Sequence, residues 1–288
     1  MRSRAFAAAL ALILAAGCGG PADTDEDFAG RMAEEHKGDV PEASPAAEAE
    51  PAGAVEGRKV IYANVEGRHV TGYLARPAGE DGTPPAVRRP GMIVIHEWWG
   101  LNDNVEAMAR RLAGEGYLAL AVDLYGGEVA ADRDAARRLM TAAMESPAAA
   151  EENLRQAYVY LDTEGAPRVG SIGWCFGGGW SLQTALLLPG ELDAAVIYYG
   201  RLSTDRGELA ALTAPILGIF GAEDQGIPVA TVREFETVLG ELGKSAEIHV
   251  YEGADHAFAN PSGTRYNAEA AEDAWRKTVA FLRQHLQG

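Results

Sequence analysis

Two cysteines in 288 residues are too few for a disulfide framework. Bases are scarce as well: 25 Lys and Arg stand against 42 Asp and Glu, a formal charge of −17. A nucleic-acid binder needs a basic face, and adhesion to an anionic bilayer needs a polybasic stretch, so neither partner is expected. No apolar run reaches the roughly 20 residues that cross a bilayer. The sequence also lacks C-x-x-C, G-x-x-x-x-G-K-[ST] and H-E-x-x-H. We therefore expect no dithiol redox centre, no phosphate-cradling loop and no two-histidine zinc site. What is present is globular: 47% of residues are hydrophobic and 23% charged, and the length allows one large domain or two small ones.

Composition divides the chain into three parts. Residues 1–18 start with Arg2 and Arg4, continue as an apolar Ala/Leu stretch and end at Cys18, the layout of an export signal. Leu14-Ala15-Ala16-Gly17-Cys18 resembles a bacterial lipobox, which implies lipidation at Cys18 and a membrane anchor without a span. Residues 19–57 carry 11 acids and 2 bases and are rich in Pro, Ala and Gly. Such a segment offers little apolar surface to offset chain entropy. It reads as a disordered acidic tether, with no helix forced on Phe28–Lys37 and with Asp23–Asp27 as a solvated charge run. The expected location is the cell envelope or periplasm.

From Arg58 onward apolar runs alternate with amphipathic ones. A hairpin is expected from Val60–Val65 and His69–Leu74, and buried-type strands from Met92–Ile95, Tyr117–Val122, Val169–Ile172, Ala194–Tyr198, Ile216–Phe220 and Ile248–Tyr251. Helices are expected over Val105–Leu112, Ala130–Met144, Ala148–Leu161, Gly177–Leu188, Val229–Leu242 and Ala270–Leu286. This alternation predicts an α/β domain over 58–288, with a mostly parallel sheet covered on both faces. Sites in such sheets form at the carboxyl ends of the strands.

Three strand ends carry chemistry. After Val169–Ile172 comes Gly173-Trp174-Cys175-Phe176-Gly177, a nucleophile elbow with cysteine as the nucleophile. The helix N-terminus beneath it favours the thiolate. After Ile216–Phe220 comes Gly221-Ala222-Glu223-Asp224, and after Ile248–Tyr251 comes Glu252-Gly253-Ala254-Asp255-His256. The order nucleophile, acid, histidine is that of a catalytic triad. His256 is the expected base. Asp224 is its expected partner, with Glu223 in reserve, because a short loop after a strand suits a small carboxylate. Asp255 adjoins His256 in sequence, which turns the two side chains apart. A further cluster, His96-Glu97-Trp98-Trp99-Gly100, follows Met92–Ile95. It places Glu97 in the cleft facing Cys175 and offers a backbone amide to an oxyanion hole, with the tryptophans as packing or pocket wall.

These motifs together resemble the dienelactone hydrolase family of α/β-hydrolases, through H-E-W-W-G-L-N (96–102), D-L-Y-G (123–126), G-W-C-F-G-G (173–178), Asp224 and A-D-H-A-F (254–258). The resemblance implies Cys175 as nucleophile, His256 as base, Asp224 as its partner, and Glu97 as an aid in taking the thiol proton. It also implies an oxyanion hole from the Trp98 and Phe176 amides, with no cofactor. Two positions depart from the family pattern. Gly127 and Asn260 stand where dienelactone-cleaving members carry arginines that hold the substrate carboxylate. Arg201 could substitute, though a surface role suits it better. Trp98, Trp99, Tyr125, Tyr199 and Phe258 would instead form a partly aromatic pocket. The expected protein is a monomeric hydrolase of small esters, thioesters or lactones. The competing readings are a catalytically idle envelope module and a single-thiol redox protein.

Overall fold

The computed structural model describes residues 24–44, 51–79 and 88–288; Cys18 and the signal-like segment lie outside them. Eight strands form one sheet: β1 (Val55–Val65), β2 (Arg68–Pro77), β3 (Gly91–Ile95), β4 (Leu118–Val122), β5 (Val169–Trp174), β6 (Ala194–Tyr198), β7 (Ile216–Gly221) and β8 (Ala246–Tyr251). The order across the sheet is β1-β2-β4-β3-β5-β6-β7-β8. β1, β2 and β4 pair antiparallel, and every pairing from β4 through β8 is parallel. Every residue of β3, β4, β5, β6 and β7 is buried, as expected of parallel strands covered on both faces. This is the α/β-hydrolase fold.

The covering helices are α2 (Asp103–Gly114), α3 (Arg133–Glu145), α4 (Pro147–Thr163), α5 (Phe176–Leu187), the single turn α6 (Arg206–Leu209), α7 (Val229–Glu241) and α8 (Ala268–Leu282). Helices α2, α3 and α8 start where short polar side chains accept from free amides. Asn102, Asp132 and Asn267 accept from Val105, Ala135 and Ala270. The chain leaves β3 toward β4 on one side and returns to β5 on the other. The crevice at this topological switch point is where such sheets bind ligands. In register, Ile95 lies opposite Gly173, so the residues that follow them, His96–Trp99 and Cys175, emerge together.

The amino-terminal region departs from expectation. Helix α1 (Asp25–Glu35) lies inside the segment read as a tether, and β1 starts at Val55, ahead of the expected boundary at Arg58. The helix opens with a reciprocal capping box between Thr24 and Asp27, which satisfies two otherwise free amides. Phe28, Ala29, Met32 and Glu35 form its buried face. Acidic residues of the helix meet bases of the main body: Arg201 lies 2.5 Å from Asp25, and Arg265 lies 3.5 Å from the buried Glu35. Beyond the helix, Asn102 Nδ2 donates to the Pro41 carbonyl, and Ser44 bonds to Ser262 and to the Pro261 carbonyl. Average composition hides this docking, because a single face with three apolar residues is enough to seat the helix.

Candidate active site

The elbow at the end of β5 is set by steric exclusion. A Cβ on Gly173 would sit 2.0 Å from the Gly177 carbonyl oxygen, and one on Gly177 would sit 2.3 Å from that of Ile95. Only glycine permits this turn. The turn holds Cys175 at φ 53° and ψ −116°, immediately before the first residue of α5. Positive φ in a non-glycine residue stores about 1–3 kcal/mol and concentrates at functional sites. Tyr199 at φ 36° and Ala257 at φ 57° share this trait, one following β6 and the other beside His256.

The sequence-predicted residues converge. His256 Nδ1 donates to Asp224 Oδ2 at 2.8 Å, with both side chains fully buried. Asp224 Oδ1 accepts from the Ile227 amide at 2.8 Å, which fixes the carboxylate. Glu223 is exposed, and Asp255 is held by the His256 amide and by Arg265, so the carboxylate that reaches the imidazole is that of Asp224. His256 Nε2 has no hydrogen-bond partner among the described residues. Donor atoms of His256, Cys175 and His36 lie within 4.8 Å of one another. Glu97 is buried; its Oε2 accepts from Asn260 Nδ2 at 2.7 Å, and its Oε1 has no hydrogen-bond partner among the described residues.

Around them, Tyr199 meets the His256 ring edge-on at 5.2 Å and Phe258 at 5.6 Å. Tyr125 packs on Phe176 at 5.3 Å and on His96 at 4.5 Å. Trp99 packs on Trp98. His96 had no assigned role in the sequence. Its Nδ1 donates to the Glu97 carbonyl at 2.6 Å and its Nε2 accepts from the Leu124 amide at 3.1 Å. It thereby joins the β3 loop to the D-L-Y-G loop as a neutral imidazole. Burial lowers its pKa in agreement. Asp123 closes the latter loop by accepting from the Tyr125 and Gly127 amides.

Two contacts on the sulfur come from outside the predicted set. His36 Nε2 lies 3.5 Å from Cys175 Sγ, and Met32 Sδ lies 3.7 Å away. His36 stacks on Trp98 at 4.4 Å. Its Nδ1 bonds to Asp39 Oδ2 at 2.9 Å, while Asp39 Oδ1 accepts from the Thr264 amide and hydroxyl, both at 2.7 Å. The spacing H-x-x-D at 36–39 was the available sequence signal, but it lay in a segment read as unstructured. Arg201, the suggested substitute cation, pairs with Asp25.

Electrostatics follow from this enclosure. Burial pushes the Cys175 thiol up, but the charges of His256 and His36 outweigh it and bring the thiol down to about 6. Burial alone would lower the pKa of His256, yet the charges of Asp224 and Cys175 raise it well above its ordinary value. The pair is thus an ionised thiolate and imidazolium near neutrality. Burial lifts Glu97 to about 7. Cys175 is fully buried, with Met32 and His36 filling the space over the sulfur. A cavity of about 480 Å³ opens beside this cover, lined by Glu97, Trp174, Tyr199, Asn260 and Trp275 among others.

Comparison with known proteins places the chain in a family. The model of the dienelactone hydrolase family matches residues 71–286. The chain is 33% identical over 263 residues to the "Putative carboxymethylenebutenolidase" of Saccharolobus solfataricus, covering 78% of this chain and 98% of that protein. It is 32% identical over 228 residues to the protein usf of Aquifex pyrophilus, covering 76% and 95%. Its fold matches that of a dienelactone hydrolase-like promiscuous phosphotriesterase from metagenomic libraries with a TM-score of 0.71 at 25% identity, over 81% of this chain and 99% of the other. His36 and Asp39 lie outside the matched span. The chain belongs to the dienelactone hydrolase family and is a dienelactone hydrolase-like carboxylic ester hydrolase.

Proposed function

We propose that the protein cleaves a small ester, thioester or lactone by acyl transfer through Cys175. The observation that carries this reading is the alignment of a thiolate-favouring cysteine on the N-terminus of α5 with an imidazole whose other nitrogen is fixed by Asp224. The thiolate adds to the substrate carbonyl. The resulting oxyanion lies between the Trp98 and Phe176 amides, each such donor contributing about 3–4 kcal/mol. The imidazolium of His256 protonates the leaving oxygen or sulfur. His256, neutral again, takes a proton from water as it attacks the thioester, and Cys175 leaves as the thiolate. Glu97, with a raised pKa and a free Oε1, takes or returns a proton as the charge on Cys175 changes.

The substrate carries no carboxylate of the dienelactone kind. Asn260 is committed to Glu97, and Gly127 sits at φ 93°, so neither position supplies a cation. Of the aromatic residues expected in the pocket wall, Tyr199 lines the cavity, together with Trp174 and Trp275, whereas Trp99, Tyr125 and Phe258 pack on neighbouring rings. Substitution of Cys175 by Ala should abolish hydrolysis of a short-chain aryl ester, a loss of about 10⁵-fold or more; unchanged turnover overturns the mechanism. We also propose export and lipidation at Cys18, on the basic start, apolar run and terminal cysteine of residues 1–18. Palmitate labelling should disappear in Cys18→Ala, and labelling that persists removes this claim.

A further inference from the structure

We propose that His36, Cys175 and His256 form a binding site for a thiophilic cation of the zinc type, which ties α1 across the nucleophile and silences it. One donor atom from each residue lies within 4.8 Å of the other two, and all three residues are buried. Tetrahedral zinc, with Zn–S of about 2.3 Å and Zn–N of about 2.0–2.1 Å, places neighbouring sulfur and nitrogen donors roughly 3.5–3.6 Å apart. The Sγ to His36 Nε2 separation is 3.5 Å.

The surroundings of the donors point the same way. Metal-ligating imidazoles characteristically give their other N–H to a carboxylate, which fixes the ring and raises its basicity. Both histidines do so here: His36 to Asp39 at 2.9 Å and His256 to Asp224 at 2.8 Å. Asp39 is itself held by two bonds from Thr264. Each ring therefore turns Nε2 toward the sulfur, and that of His256 is buried without a hydrogen-bond partner. One base suffices to activate a thiol. A second carboxylate-backed imidazole on the same sulfur brings three ligand atoms together, and once the two nitrogens give up their protons a single soft cation satisfies them together. Met32 Sδ, 3.7 Å from Sγ, adds a thioether to the same wall. The sequence contains no metal motif, because His36 and Cys175 are 139 positions apart.

Coordination requires the thiolate and a free lone pair on each Nε2, so binding releases the thiol proton and any proton on those nitrogens to solvent. The bound sulfur keeps lone pairs, but the cation withdraws its negative charge and occupies the side from which a carbonyl would approach, so its nucleophilicity falls. This silencing rests on the reading of Cys175 as nucleophile, whereas the binding itself does not. The test titrates the full chain with Zn²⁺ against a chromophoric chelator and with Co²⁺ in the near ultraviolet. We expect one ion per chain and a thiolate-to-cobalt charge-transfer band. His36→Ala and Cys175→Ser should each remove the band and weaken Zn²⁺ binding at least 100-fold. Asp39→Asn, which leaves every ligand in place, should weaken it by about 10–100-fold and decides the matter if His36→Ala does not fold. Absence of binding at tenfold excess overturns the site. So does affinity that stays within twofold in His36→Ala or, where that variant does not fold, in Asp39→Asn. Because the readout is binding and not turnover, failure of the hydrolase reading registers separately, as an intact site on a protein that cleaves no ester.

Discussion

The body of the molecule and its amino-terminal segment meet at a single sulfur atom but reach it by different physical routes. The body, matched to its family over 71–286, delivers Cys175, Asp224, His256 and Glu97 from four strand ends. The fold alone dictates their convergence. Residues 24–44 deliver Met32 and His36 from a short helix with three apolar side chains in the core, a capping box and ion pairs to arginines of the body. The body's arrangement is tied to the whole sheet and can be lost only with it. That of the segment rests on local docking, which makes it the part of the site able to open separately.

The sharpest way to test the body's half is Asp224→Asn. It keeps the volume but presents the wrong donor pattern to His256, and kcat/KM for an aryl ester should fall by about 10³–10⁴-fold. A change below tenfold would mean that Asp224 does not orient the base. Phe28→Ala addresses the segment. Removing a buried phenyl costs about 3–5 kcal/mol, and every 1.4 kcal/mol lost from docking raises the open population tenfold. Iodoacetamide should therefore alkylate Cys175 at least tenfold faster, while melting of the body stays near that of the wild type. Equal rates would show that α1 does not control access.

Two pH profiles separate the halves further. Because Cys175 is lowered to about 6, its alkylation rate should rise with pH through about 6 and level off above it; a rise centred near the ordinary value of 9.0 would contradict the ionised pair. The His36–Asp39 contact acts on docking. Burial alone would lower the pKa of His36, but the hydrogen bond to Asp39 together with the hydrogen bond and charge of Cys175 raise it above its ordinary 6.5. Its contribution is therefore complete below 6.5 and is lost as pH rises through the raised value. Asp39 is lowered from 3.8 to about 2 through its bonds to His36 and Thr264, against burial. Its contribution is present above 3.8 and is lost as pH falls through about 2. Amide protection in 25–35 should thus peak between about pH 4 and 6.5 and decline on both sides. A flat profile would remove this ion pair from the docking.

The same contrast explains what the sequence made legible. Periodicity located the central strands within a residue or two, because each is a short apolar run between glycines and caps. It shortened β1, whose outer end is an exposed edge, and it missed α6, a single turn. The glycines around Cys175 marked the elbow because only glycine fits there. Asp224 could be preferred over Glu223 from loop length, and its burial against the exposure of Glu223 follows the same logic. His36 and Asp39 gave no comparable signal. Their importance depends on a helix docking across 139 positions of chain, and the acidic composition around them masked a narrow apolar face. Asn260 was read as a missing arginine, whereas its bond to Glu97 follows from the fold and from no local pattern.

The most direct measurement is to mix the protein with a short-chain aryl ester, quench it with acid within the first turnover and map the acylated peptide by mass spectrometry. The account predicts an acyl thioester on Cys175 that is formed and consumed at the rate of turnover. Turnover with Cys175 unmodified throughout, or an acyl group on any other residue, would contradict it.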